Sequence, residues 1–240
     1  DRNIYNQLDF DNRRRSSNLG YIVKNDYLIK ILYNNIKKNK NIKILNNINI
    51  NNLEILKESI IIHTNKKKIV SDLNIASDGK NSFVKKIFKT PYFFKNYNKS
   101  ALVTTFTHSK NHNNTAFEFF YKNGPLAILP MKKTKGNFTS SIVWTNNTEY
   151  LKNILNLESE KLISILKKET QLCIGNINHI ISKQIFPLSA HINSKFYENR
   201  NIYIGDAAHS FHPIAGQGWN LGMKDIQNLF MLSKKYNSLG

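Results

Sequence analysis

The sequence predicts an α/β chain in which an antiparallel sheet lies between two stretches of helices and strands. Between residues 101 and 145, strand-like stretches follow one another with only short turns, which is typical of an antiparallel sheet. Helices and strands alternate before this region and return after it. We therefore predict three segments, 1–95, 96–190 and 191–240.

Composition places the chain among globular proteins. It has 240 residues, of which 40% are hydrophobic and 11% aromatic, enough apolar side chain to bury a core. No apolar run approaches the ~18–20 residues of a membrane-spanning helix. Cys173 is the only cysteine, which excludes a disulfide within the chain and a cysteine-rich metal site.

The net charge of +19 raises the hypothesis of a nucleic-acid partner. Only five of the 35 basic residues are arginine, whose planar fork suits phosphates and base edges better than lysine does. The lysines are spread among many asparagines and isoleucines, a mixture that AT-rich codons produce. We therefore predict no nucleic-acid partner, while a weaker attraction to an anionic membrane surface stays open.

The first segment predicts a helix, several strands and a second, short helix. Apolar residues at helical spacing indicate a helix over about 25–38. Strand-like stretches lie at 42–45, 53–56, 60–63 and 70–76, with a hairpin turn at 65–68. The last stretch ends at Ser77-Asp78-Gly79, and a short helix is predicted over 82–88.

The middle segment predicts the antiparallel sheet. Its strands are expected at 101–107, 116–121, 126–131 and 138–145, with turns at 124–125 and 135–137. A helix with a cap near Ser159 and a strand over 182–188 follow. Phe117, Phe119 and Tyr121 alternate along the second strand, which predicts a sheet face that packs on the core.

The last segment carries the most specific pattern. A short apolar strand, 201–204, runs into Gly205-Asp206, then a loop with Gly216 and Gly218, then a helix. Gly205 permits a tight turn, and a carboxylate at the end of a strand can accept hydrogen bonds from ligand hydroxyls. The two later glycines leave N–H groups exposed before a helix N-terminus, which favours negative charge on a ligand.

The alternative to a ligand site is a purely structural turn, in which the glycines shape the loop and Asp206 caps a helix. A lone Gly-Asp pair favours that alternative, whereas the whole stretch favours a ligand site. His209 and His212 are three residues apart but have no carboxylate or thiol partner in the sequence. We therefore predict no metal site and a structural hydrogen bond for His209.

Residues 205–222, Gly-Asp-Ala-Ala-His-Ser-Phe-His-Pro-Ile-Ala-Gly-Gln-Gly-Trp-Asn-Leu-Gly, resemble the second FAD motif of the class A flavin monooxygenases. The His-Pro-Ile-Ala-Gly-Gln-Gly form is most similar to the ubiquinone-biosynthesis hydroxylases. Residues 76–85 resemble the Asp-Gly motif of that family, 124–130 with 141–145 its substrate-domain sheet, and 19–23 the segment before its second helix. Trp219, Ser77 and Lys85 depart from the usual Leu, Ala and Arg.

The resemblance implies a two-domain fold like that of para-hydroxybenzoate hydroxylase, a Rossmann-like FAD/NAD(P)-binding domain with an inserted antiparallel-sheet substrate domain. Segments 1–95 and 191–240 would then form the FAD-binding domain, and segment 96–190 the substrate domain. It implies that Asp206 binds the ribityl chain of FAD and that Asp78 and Gly79 lie near the pyrophosphate. It places Pro213 and the backbone of 216–220 against the isoalloxazine ring. The implied cofactor-binding residues are Asp78, Gly79, Gly205, Asp206, Pro213, Gly216, Gln217, Gly218, Trp219 and Asn220. No catalytic side chain is assigned.

The resemblance further implies an FAD-dependent monooxygenase that hydroxylates the ring of a prenylated phenol or ubiquinone precursor with NAD(P)H and O2. The alternatives are a sister hydroxylase of a soluble aromatic acid, a non-catalytic remnant and a basic nucleic-acid-binding protein. We expect a cytoplasmic protein, with peripheral association with the inner membrane or a quinone-biosynthesis complex left open. The family's Gly-x-Gly-x-x-Gly turn and helical C-terminal portion have no counterpart here, so we expect a fragment that binds FAD poorly alone.

Overall fold

The computed structural model describes residues 8–11, 18–212 and 216–236. In chain order the elements are α1 (Asn25–Lys38), β1 (Ile50–Ile55), β2 (Ile60–Thr64), β3 (Lys68–Ser71), β4 (Asn74–Ala76), α2 (Phe83–Phe88), β5 (Tyr92–His108), β6 (Phe117–Tyr121), β7 (Gly124–Thr134), β8 (Asn137–Asn147), α3 (Thr148–Leu155), α4 (Ser159–Ile174), β9 (Ile177–Asn193), β10 (Tyr197–Glu198), β11 (Asn201–Tyr203), β12 (His209–Ser210) and α5 (Gln217–Lys235). A 3-10 helix, Gly205–Ala207, lies between β11 and β12. No helix in the described part of the chain is both long enough and apolar enough to cross a bilayer.

Contacts divide the chain into two compact units. The sheet unit comprises Asp1–Lys43 and Asn98–Pro187, and the motif unit comprises Ile44–Tyr97 and Leu188–Gly240. The long strands β5 and β9 begin in one unit and end in the other. The predicted mixture of helices with an antiparallel sheet is therefore confirmed as the fold class.

The sheet unit is built on strands in the order β9-β5-β8-β7-β6. The pairs β5–β8, β8–β7 and β7–β6 are antiparallel, as short connections between consecutive strands require. Helices α3 and α4 contribute to the core of this unit, and Leu162 and Leu166 of α4 are fully buried against it. The predicted core face is confirmed, because Phe117, Phe119 and Tyr121 pack against this core while Phe120 is exposed.

The motif unit contains two small sheets. Strands β1, β2 and β3 form an antiparallel sheet, and the second sheet has the order β10-β11-β4. Within the second sheet, β11 runs parallel to β4, with Tyr203 opposite Ala76. A core that includes Ile60, Val84 and Tyr203 lies beside it. The parallel pair decides where the candidate site lies, because the chain leaves both strands at the same edge.

Several predicted elements are wrong in detail. The stretch 42–45 is irregular, and no described strand pairs with it. The predicted strand 70–76 breaks at 72–73 into β3 and β4, which belong to different sheets. Gly124-Pro125 begins β7 instead of forming the turn.

Helix α3 was not predicted, although a sequence signal for it exists. The side chain of Asn147 accepts hydrogen bonds from the backbone N–H groups of Glu149 and Tyr150. An asparagine before an acidic first turn is a helix start signal. The helices over 25–38 and 82–88 are confirmed, the latter with Ser82 as its cap.

Candidate functional site

The candidate site is organised by the parallel strands β4 and β11. Asp78 follows β4 by two residues, and Asp206 follows β11 by three. Because the two strands are parallel neighbours in register, their carboxyl ends lie at one edge of the sheet, where α/β folds bind ligands. The structure thus brings together two motifs that are more than a hundred residues apart in the sequence.

The turn after β11 presents Asp206 to solvent. Gly205 adopts the left-handed conformation with φ of 56°, which glycine enters without strain, and it begins the short 3-10 helix. Ala207 and Ala208 are buried, whereas Asp206 is exposed. No described residue donates a hydrogen bond to the Asp206 carboxylate, so both of its oxygens can accept from a ligand.

Asp78 has a different role in the structure. Its Oδ2 atom accepts hydrogen bonds from the backbone N–H groups of Phe83 at 2.7 Å and Val84 at 3.2 Å. Ser82 Oγ accepts from the N–H of Lys85 at 3.0 Å, which completes the cap of α2. The carboxylate of Asp78 is therefore occupied within the fold, and the open backbone at Gly79 is the part of this motif that a ligand can approach.

A cleft lined by lysines lies beside α2. It has a volume of about 560 Å³. Its lining includes Lys80, Lys85, Lys86, Lys89, Tyr92, Phe94 and His191, and we call this set the lysine cleft. No acidic side chain lines it, so it presents positive charge to an anionic ligand.

Two polar side chains of the lysine cleft are buried. Lys85 is 5% exposed, its Nζ lies 4.6 Å from the centre of the Tyr92 ring, and burial lowers its pKa despite the attraction of Asp78. His191 Nδ1 lies 2.9 Å from Ser210 Oγ, and its buried Nε2 has no hydrogen-bond partner among the described residues. Burial, followed by the charges of Lys85 and Lys80, lowers the pKa of His191, while the charge and the backbone of Asp206 act in the opposite direction.

The start of α5 is accessible. Gly216 precedes the helix with φ of 61°, and residues 217–220 form its first turn. A Cβ placed at Gly216 or Gly218 would have nothing within 4 Å, so a ligand has room to approach this backbone. Trp219 is 54% exposed. Pro213 lies outside the described residues.

Asp225 of α5 is the site residue that the sequence reasoning missed. Its Oδ2 accepts hydrogen bonds from the N–H of Gly205 and from Nε2 of His209, both at 2.9 Å. The predicted hydrogen bond of His209 is thus confirmed, with a partner sixteen residues away. Gly222 lies three residues before Asp225 on the same helical face, and its Cβ position is 3.5 Å from the Gly205 Cα, so this face of α5 packs against the turn.

Comparison with known proteins decides the family. The sequence matches the FAD binding domain family over residues 22–236. The chain belongs to this FAD-binding family.

Its relatives include proteins named for ubiquinone hydroxylation. It is 27% identical to the ubiquinone biosynthesis monooxygenase COQ6 of Dictyostelium discoideum, over 91% of this chain and 54% of that protein. It is 30% identical to the ubiquinone hydroxylase UbiL of Rhodospirillum rubrum, over 64% of this chain and 35% of that protein. The chain therefore spans about half or less of the length of these relatives.

Solved structures show the same fold. The FAD-dependent monooxygenase pqsL of Pseudomonas aeruginosa, described as probable, superposes with a TM-score of 0.69 at 16% identity, over 88% of this chain and 61% of that one. The p-nitrophenol 4-monooxygenase PnpA of Pseudomonas putida superposes with a TM-score of 0.67 at 14% identity, over 85% of this chain and 52% of that one. At these identities the likeness concerns the fold.

The described residues fit FAD. Gly79, Gly205, Gly216 and Gly218 all have open space where a Cβ would stand, as close approach of a ligand to the backbone requires. The exposed Asp206 carboxylate supplies acceptors for sugar hydroxyls. No cluster of three or more metal-ligating side chains occurs among the residues that the structure describes.

Proposed function

We propose that this chain is part of an FAD-dependent monooxygenase that hydroxylates the aromatic ring of a prenylated phenol, using NAD(P)H and O2. The observation that carries the proposal is the exposed Asp206 turn beside an open, glycine-lined helix start, in a chain of the FAD-binding family. The names of its relatives support ubiquinone precursors as the substrate class. Residues 1–95 and 191–240 are proposed to bind the cofactor, and residues 96–190 are proposed to bind the substrate.

Bound FAD supplies the redox chemistry of such an enzyme. In the proposed site, Asp206 accepts hydrogen bonds from the ribityl hydroxyls, and Gly205 lets the chain turn there without a side chain in the way. The backbone of 216–220, with Pro213, would border the ring system. The N–H groups at the start of α5 would favour negative charge on that ring, because a helix N-terminus carries partial positive charge. Gly79 admits the pyrophosphate to the backbone beside Asp78.

We further propose that the lysine cleft receives the phosphates of NAD(P)H. Its four lysines and lack of acidic lining favour a polyanion. Exchanging Lys80 and Lys86 for Gln should raise the KM for NAD(P)H in the full-length enzyme and weaken its dependence on salt. The same exchange at Lys66 and Lys67, in the exposed hairpin turn of this unit, is the control. Equal KM changes in both double variants would refute the assignment.

The first test is the visible spectrum of the purified full-length protein. Bound FAD is expected to give absorption bands near ~370 and ~450 nm that bleach with NAD(P)H. Asp206→Ala should lose the bands at low FAD concentration, whereas Asp72→Ala, at an exposed acid of the same unit, should keep them. A colourless full-length protein that FAD cannot reconstitute would refute the function.

Product analysis then separates the substrate classes. The flavin-loaded protein is supplied with a prenylated phenol or a soluble aromatic acid, and hydroxylated product is measured by mass spectrometry. Hydroxylation of the prenylated phenol alone is expected. Hydroxylation of the soluble acid alone would favour the sister hydroxylase. Peripheral membrane association, proposed because such a substrate is greasy, is tested by flotation of the protein with anionic vesicles.

A further inference from the structure

One carboxylate links helix α5 to the turn that carries Asp206. Asp225 Oδ2 accepts from the N–H of Gly205 and from Nε2 of His209, each at 2.9 Å. We call these three residues the clasp. Gly205 and His209 stand at the two ends of the segment 205–209, so the clasp holds the segment at both ends.

The chemistry of the clasp fixes the orientation of His209. A carboxylate oxygen only accepts hydrogen bonds, so Nε2 of His209 must carry the hydrogen in this contact. The side chain of His209 is 9% exposed, and the rings of Phe196 and Phe211 contact its imidazole with centroid distances of 5.8 and 5.5 Å. Hydrogen bonds to a charged acceptor are stronger than neutral ones, so Asp225 restrains both partners.

The rest of the segment is held by packing. Ala207 and Ala208 are buried, and the side-chain amide of Asn193 donates to the carbonyl of Ala207 at 3.0 Å. Gly222 lies against Gly205, and a Cβ at Gly222 would stand in van der Waals contact with the Gly205 Cα, at 3.5 Å. Asp206 is the residue of this segment that faces solvent, and its position follows from the clasp.

We propose that Asp225 is a positioning residue that acts through Gly205 and His209 to hold the Asp206 carboxylate where FAD binds. This inference rests on the proposed function. A merely structural Asp225 would lower the stability of the fold, and its effect on FAD affinity would be independent of Asp206. A positioning Asp225 loses its effect once Asp206 is gone, because residues that act through one another are not additive.

The test is a double-mutant cycle on FAD affinity in the full-length protein, measured by titration of flavin fluorescence. Asp225→Ala is expected to weaken FAD binding by about 10- to 100-fold, the range that hydrogen bonds to a charged group support. Asp206→Ala should weaken it similarly, and the double variant should bind no more weakly than Asp206→Ala alone. Asp225→Asn keeps an acceptor oxygen and should recover most of the affinity. Gln227→Ala, at an exposed position of α5, is the control.

Three outcomes overturn the inference. If the two effects multiply in the double variant, or if Asp225→Ala leaves affinity unchanged, Asp225 does not act through Asp206. If the wild-type protein binds FAD but Asp206→Ala has no effect, the cofactor assignment of Asp206 fails and this inference fails with it. A wild-type protein without FAD affinity refutes the proposed function itself. Circular dichroism identifies unfolded variants. Should Asp225→Ala be unfolded, His209→Phe, which removes one hydrogen bond of the clasp, replaces it in the cycle with the same criterion of non-additivity.

Discussion

Replacing Gly124 with alanine should damage the sheet unit far more than the same change at Gly136. Gly124 has φ of 137°, and a Cβ there would lie 2.6 Å from the carbonyl oxygen of Thr145 and 2.9 Å from its Cγ2. That oxygen belongs to β8, next to β7 in the sheet, so it cannot move away without breaking strand pairing. Gly136 has φ of 81° but open space around its Cβ position.

The two positions separate backbone strain from overlap. A side chain in the left-handed region lowers the free energy of unfolding by about 1–2 kcal/mol. Replacing glycine with alanine also raises it by about 0.4–1 kcal/mol, because alanine restricts the unfolded chain. Overpacking against fixed neighbours adds about 1–3 kcal/mol, which applies to Gly124 alone. We therefore expect Gly124→Ala to cost about 1–3 kcal/mol more than Gly136→Ala.

Urea unfolding of the full-length protein, followed by circular dichroism, measures the difference as a shift in midpoint. Gly136→Ala is expected to move the midpoint slightly and Gly124→Ala strongly. Equal midpoints, or a larger loss at Gly136, would show that the contact with Thr145 does not govern this position.

Further predictions concern the caps, the core and pH. Ser82→Ala should lower stability by about 1 kcal/mol through loss of the α2 cap, seen as a lower melting temperature, with no loss expected from Ser77→Ala at an exposed position. Leu166→Ala should cost about 2–5 kcal/mol by opening a cavity, and a loss below 1 kcal/mol in urea unfolding would contradict its full burial. Burial lowers the pKa of both His108 and His191, so protons bind the unfolded chain more readily. The free energy of unfolding should therefore fall as pH drops below the ordinary histidine pKa of about 6.5. Urea unfolding between pH 7.5 and 5 measures this fall, and a midpoint that stays constant over that range would refute it.

Elements with a strong local signal could be predicted from the sequence. Helix α1 and the strand pairs of the sheet unit follow from apolar spacing and short turns, which act within a few residues. The break between β3 and β4 could not be predicted in this way. Arg200 causes part of it, because its carbonyl accepts from Asn74 N–H and its guanidinium donates to the Asp72 carbonyl. No pattern within 70–76 reveals a partner more than a hundred residues away.

For the candidate site, the sequence by itself determined the family motif. Gly205, Asp206 and the glycines before α5 lie in one contiguous stretch, and glycine permits tight turns and close approach of a ligand to the backbone. Only the tertiary structure decided which of these groups are available. It assigned the Asp78 carboxylate to the α2 cap, left Asp206 exposed and joined Asp225 to both ends of the turn. It also gathered lysines of α2 and its neighbours around a buried His191. Such arrangements depend on which strands pair and which helix face turns inward, and these follow from the packing of the whole unit.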